Sequence, residues 1–216
     1  MLKDLIEKYK SIPAAAKVSL WFAICSVIQK GISLITVPIF TRLLTTDQYG
    51  QFSVFQSWYS IISIFATLNL SYGVFFKGMQ KYPDERDKYT SSMQALSTSV
   101  TLLLFCVYLP FKDFINELTG LSTLLMVTIF AECLFAPALA FWSARQRYEF
   151  KYIALVVVTI GVAFFSPVLG LIAVNLTEEK GIARILSAAL VNICVGLFFY
   201  VLNVTRGKKF FNKEYW

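Results

Sequence analysis

Six stretches of this sequence stay apolar for about 20 residues each, and that removes most of the architectures open to a 216-residue chain. Crossing a hydrocarbon layer of roughly 30 Å takes about 20 helical residues at about 1.5 Å apiece. Inside that layer every backbone N–H and C=O must be bonded within its own helix or around a closed barrel. The runs fall at about 18–41, 51–76, 92–110, 122–143, 153–175 and 183–205. Barrel strands alternate apolar and polar over about 10 residues, and these runs are too long and too uniformly apolar for that. The expected fold class is therefore all-α, a polytopic membrane protein with a six-transmembrane-helix bundle. A composition of 57% apolar and 15% charged residues agrees.

The flanks of the runs predict how such a bundle sits. Residues 1–17, with Leu2, Leu5, Ile6 and Tyr9 near helical spacing among lysines, read as a cytoplasmic interfacial segment. The first run is too long, and too interrupted by Lys30, for a cleaved secretion signal. Fifteen of the 20 basic residues lie on the side of the N-terminus, and only Arg42, Lys112, Lys180 and Arg184 lie on the other, with Lys30 between. That bias predicts cytoplasmic N- and C-termini. The net charge of +7 then reads as a topology signal and an attraction to anionic membrane lipids, not as nucleic-acid binding. Cys25, Cys106, Cys133 and Cys194 fall inside runs with no CxxC pair, as small apolar residues do.

Signatures of catalysis are missing. The chain has no histidine, no Gly-rich phosphate loop ending in Lys-Ser/Thr and no GxSxG elbow. No segment between runs is large enough for a soluble domain. The expectation is a protein that is not an enzyme, uses no cofactor or metal, and acts through the bundle itself.

Polar residues inside the runs are ordered. Ser19, Ser26, Lys30 and Ser33 form a stripe on the first helix, with Gln29 and Thr36 beside it. The second helix carries Ser53, Gln56, Ser57, Ser60, Ser63, Thr67 and Ser71, and the third Thr90, Gln94, Ser97, Thr98 and Thr101. Such stripes are either packing seams or walls of a water-accessible cavity. A lysine at a helix centre costs about 2.5–3.5 kcal/mol on insertion scales and faces a partner or water. Lys30 and Glu132 share a depth near the middle of their runs. Three readings fit: the two form an ion pair, Lys30 faces a cavity and takes an anion, or Glu132 exchanges a proton or cation. Pro38, Pro137 and Pro167 each remove a helix hydrogen bond and mark sites for bends.

"KGISLITVPIFTRLLTTDQYGQF", "LNLSYGV", "YPDERDKYTSSM", "FWSARQRYEFKY" and "GKKFFNKEYW" together resemble the N-terminal half of Wzx-type flippases, of the multidrug/oligosaccharidyl-lipid/polysaccharide superfamily. The resemblance runs over nearly the whole chain and rests on diffuse helix-and-loop patterns. It implies one of two six-helix lobes around a central cationic cavity. It further implies alternating access, carrying undecaprenyl-pyrophosphate-linked oligosaccharide across the bacterial inner membrane for O-antigen or capsular polysaccharide. On that likeness Lys30 and Arg42, with Gln29 and Gln56, line the anion-facing cavity. Arg145 and Arg147 either guide the headgroup on entry or anchor the topology. Residues 206–216 would lead to the second lobe, and transport would need that C-terminal half or a second chain. Competing readings are a cation-coupled drug exporter of the same superfamily, with Glu132 as coupling site, a membrane enzyme of polysaccharide assembly, and a non-transporting assembly subunit.

Overall fold

Long apolar segments separated by short polar ones leave helix hairpins as the economical arrangement, and the computed structural model, which describes residues 13–216, has that form. Helix α1 (Ala14–Leu43) leads into α2 (Thr46–Thr67), α3 (Gly73–Lys81) and α4 (Arg86–Tyr108). A 3₁₀ turn (Leu109–Phe111) and α5 (Lys112–Thr119) follow, then α6 (Thr123–Tyr148), α7 (Tyr152–Leu176) and α8 (Lys180–Gly207). No strand occurs among the described residues. Most of the expected interfacial segment 1–17 lies outside them.

Among the described residues, five segments are long and apolar enough to cross a membrane: Ala16–Leu43, Arg86–Thr119, Thr123–Tyr148, Tyr152–Leu176 and Lys180–Gly207. The expected second span, 51–76, is corrected in form. Its helix starts earlier, where Thr45 and Gln48 close a reciprocal capping box, and it stops at Thr67. Leu68 and Asn69 both take left-handed backbone, with φ of 48° and 51°, and the Thr67 hydroxyl accepts from the Asn69 amide at 3.2 Å. The chain resumes as α3, a short helix that buries Phe75 and Met79. The third span also differs. It begins at Arg86, ahead of the expected 92, so Thr90 and Ser91 are buried inside the helix. Beyond Pro110 the chain forms α5, closed by Gly120 at φ 68°. α1, α6 and α7 continue through Pro38, Pro137 and Pro167.

Helix α8 is the spine of the bundle. It packs against α6, α7, α4 and α2, while α1 lies outside and packs chiefly on α7. Where α8 meets α6, a Cβ built on Gly196 would stand 2.6 Å from the backbone carbonyl of Phe135. Hydrocarbon tails leave no hydrophobic drive between helices, so such close backbone approach at small residues supplies much of the adhesion. Cys25 and Cys133 are buried, but Cys106 and Cys194 lie on exposed helix faces.

The final residues fold back onto the bundle. The Tyr215 ring packs 4.7 Å from Tyr82 and 5.5 Å from Tyr89, and its hydroxyl donates to Glu85 at 2.6 Å. Trp216 Nε1 donates to the Ser92 hydroxyl at 2.9 Å.

Candidate functional site

The three polar stripes do not share one environment. On α4, Thr90, Gln94, Ser97 and Thr101 point into the bundle and are buried. On α1, Ser19, Ser26, Lys30 and Ser33 are all exposed, with Gln29 and Thr36 half-buried beside them. On α2, Ser53, Ser57 and Ser60 are exposed and Gln56 is half-buried. The α2 hydroxyls turn back to their own helix: Ser53 donates to the carbonyl of Tyr49, Ser57 to Ser53 and Ser60 to Gln56, at 2.8–3.0 Å. The α1 and α2 stripes are therefore not seams within this bundle. Exposed apolar residues share these helices, with Val27 and Leu34 one turn either side of Lys30. Ser33 and Thr36 border a pocket with α2 and α8, and Arg42 is exposed in the last turn of α1.

Lys30 and Glu132 are not brought together as an ion pair. Glu132 is buried on α6, 2% exposed, and its carboxylate accepts from Asn192 Nδ2 of α8 at 2.9 Å. Lys30 is exposed on the peripheral helix and pairs with no carboxylate among the described residues. Equal depth, the only relation the sequence shows between them, does not place two residues on facing sides of helices.

A polar core runs along α8 behind the exposed face. Asn203 Nδ2 donates to Gln94 Oε1 at 2.8 Å and to the Ala138 carbonyl at 3.1 Å, joining α8 to α4 and α6. Gln94 Nε2 reaches the Tyr200 carbonyl at 3.4 Å, and the Thr101 hydroxyl donates to Ser97 at 2.9 Å. Buried polar groups in a membrane bundle must find such partners, and these specify which helix faces meet.

Arg145 and Arg147 stand at the end of the bundle that holds Gly207. Arg145 bonds Asp87 of α4 and, at 2.8 Å, Glu149. Arg147 is exposed, with its guanidinium 4.8 Å from the Phe22 ring of α1. Lys151 reaches Glu149 at 2.7 Å. Burial alone would push the Glu149 carboxyl up, but the hydrogen bonds from Lys151 and Arg145 outweigh it and hold the group below the usual carboxylate range. A carboxyl depressed in this way stabilises the folded state above its unfolded pKa and loses that contribution as pH falls through its folded value. Acidification below about pH 4.3 is expected to loosen the α6–α7 turn, read as faster hydrogen exchange at residues 149–152. Arg145→Met should move that onset to higher pH. An unchanged exchange profile in the variant refutes this account.

In the sequence Arg184 is marked only as one of four basic residues on the side opposite the N-terminus. Arg184, one turn into α8, has its guanidinium carbon 4.3 Å from the Phe40 ring and 5.1 Å from that of Phe52. Its Nη1 is buried without an acceptor. Only the fold, which sets α8 against α1 and α2, turns it into an interior group.

No curated protein and no solved structure matches the chain at a significant level. Residues 15–216 match the sequence profile described as polysaccharide biosynthesis protein. With the match covering all but the first 14 residues, and the described residues forming a helical membrane bundle, the chain belongs to the polysaccharide biosynthesis protein family.

Proposed function

We propose that this chain is the N-terminal lobe of a Wzx-type flippase, carrying undecaprenyl-pyrophosphate-linked oligosaccharide across the bacterial inner membrane by alternating access, with both termini cytoplasmic. The observation that carries the reading is Lys30, a lysine exposed midway along an apolar helix with no carboxylate partner among the described residues. A lysine at bilayer depth is costly against lipid tails and suits a water-filled cleft between two lobes. A lysine on that wall, with Arg42 at its far end, supplies cationic donors for a pyrophosphate passing through. The transport chemistry needs no bond broken in the cargo, and the chain acts as a carrier, not an enzyme.

Glu132 favours a second element of the same reading. A carboxyl buried inside one lobe and bonded to Asn192 is placed to bind a proton or cation, which makes it the candidate coupling group and would serve a drug exporter equally well. The nature of the cargo separates the two. Deleting the gene should abolish surface polysaccharide while lipid-linked units accumulate on the cytoplasmic leaflet, and drug sensitivity should not change. Normal surface polysaccharide in the deletion strain overturns the flippase reading.

A further inference from the structure

At the end of the bundle opposite Gly207, α1, α2 and α8 border a partly open cavity of about 190 Å³. Arg184 reaches into its wall from α8, flanked by Phe40 and Phe52, with Ser33, Thr36 and Tyr49 supplying hydroxyls. The Thr36 hydroxyl is bonded to the Ser33 carbonyl at 3.3 Å, and Val37 and Leu44 make the remaining wall apolar.

The guanidinium is the anomaly. Five N–H donors require acceptors, yet Nη1 is buried with none, and no carboxylate among the described residues lies within ion-pairing distance. The ring faces of Phe40 and Phe52 attract the cation but take up none of its in-plane donors. Gly170 of α7 is part of the arrangement. A Cβ there would meet Arg184 Nη1 at 2.9 Å and the Phe40 ring at 3.1 Å, so glycine leaves the space in which the guanidinium lies. A cation held by two rings, a glycine and a hydroxyl-bearing wall is oriented for an oxyanion, whose geometry matches the guanidinium fork.

Depth selects the ligand. Arg184 is four residues past Lys180, about 6 Å along the helix axis, and Arg42 lies in the last turn of α1 at the same end. The apolar run begins at about 183, which puts Arg184 at the level expected of the interface, where phosphate esters of lipid headgroups are concentrated. At about 190 Å³ the cavity has room for several water molecules or for one phosphate. We propose that the Arg184 cavity is a phosphate site, which takes the headgroup phosphate of a lipid in the leaflet opposite the C-terminal segment. The assignment rests on the cavity and stands whether or not the chain moves a polysaccharide unit.

Native mass spectrometry of the purified full chain in detergent provides the test, with phosphatidylglycerol as probe and diacylglycerol as its phosphate-free counterpart. Wild type should hold phosphatidylglycerol at least tenfold more tightly than Arg184→Gln, and diacylglycerol should bind both alike. Because Arg184→Gln could disturb folding, Gly170→Ala is the second variant. It keeps the arginine and displaces the flexible guanidinium, and it should weaken phosphatidylglycerol binding in the same direction. Displacement of the lipid by inorganic phosphate shows that the oxyanion alone suffices, and failure of displacement shows that the acyl glycerol contributes. Tighter binding of a polyprenyl monophosphate than of phosphatidylglycerol assigns the site to a carrier lipid, and the reverse assigns it to a bilayer lipid. Equal phosphatidylglycerol retention in all three proteins, or equal retention of diacylglycerol and phosphatidylglycerol by wild type, overturns the site.

Discussion

Gly196→Leu should leave the chain unable to assemble its bundle, with the monodisperse peak in detergent lost to aggregate and the folded fraction reduced at least tenfold. The reason is local and steric. A Cβ at this position of α8 stands 2.6 Å from both the carbonyl carbon and oxygen of Phe135 and 3.0 Å from the Ala136 amide nitrogen. These are backbone atoms of α6, which cannot swing aside as a side-chain tip can, so the two helices must separate. Overpacking a well-packed interface costs about 1–3 kcal/mol, and a leucine at a backbone contact belongs at the upper end of that range. Separation also stretches the bonds that α8 makes from the same face, Asn192 to Glu132 and Asn203 to the Ala138 carbonyl, leaving polar groups without partners in the bundle interior. Gly196→Ala brings the same first carbon and no more, so it should lower the thermal midpoint while retaining the peak. A leucine variant that elutes and melts like wild type would show that α6 and α8 can part without loss.

The six apolar runs foretold the helices because span length follows directly from bilayer thickness and hydropathy. They foretold less where the backbone departs from helix for reasons held in a few atoms. The end of α2 depends on two non-glycine residues in left-handed conformation, Leu68 and Asn69, and an apolar average over the run cannot register that. The short helix α5 was similarly hidden, since its eight residues mix Lys112, Asp113 and Glu117 with Phe114 and Leu118 and resemble a polar loop. Periodicity identified the stripes on α1, α2 and α4 but not their direction, because spacing tells which residues share a face and says nothing of what that face meets. The α4 stripe turns inward to Asn203 and Tyr200, whereas those of α1 and α2 turn out. Glu132 and Arg184 illustrate the same limit for charge. Their environments are made by α8 and by the α1–α2 pair, residues distant in the chain, so neither Asn192 as the partner of one nor Phe40 and Phe52 as neighbours of the other could be read beforehand.

Reversing the charge at the outward face, Lys30→Glu in a protein that carries both lobes, should reduce surface polysaccharide at least tenfold at unchanged protein level. Lys30 has no carboxylate partner among the described residues, and Glu132 is bonded to Asn192, so removing the lysine strands no buried charge in this lobe. Insertion and folding are thus expected to be indifferent to Lys30→Ala, which separates a transport defect from a stability defect. On the proposed function, a pyrophosphate approaching a wall with glutamate at this depth would meet repulsion in place of a donor, and the low-dielectric walls of a cleft would focus that field. Lys30→Arg keeps the charge and should retain most transport, Lys30→Ala should fall between, and the order Lys, Arg, Ala, Glu is the signature of a charge effect. Combining Lys30→Ala with Glu132→Gln should give the sum of the two single effects on stability, within about 0.5 kcal/mol, because the residues share no contact. A strong coupling between them would mean that a second conformation joins the pair. Full surface polysaccharide from Lys30→Glu would remove the exposed face of α1 from the transport path.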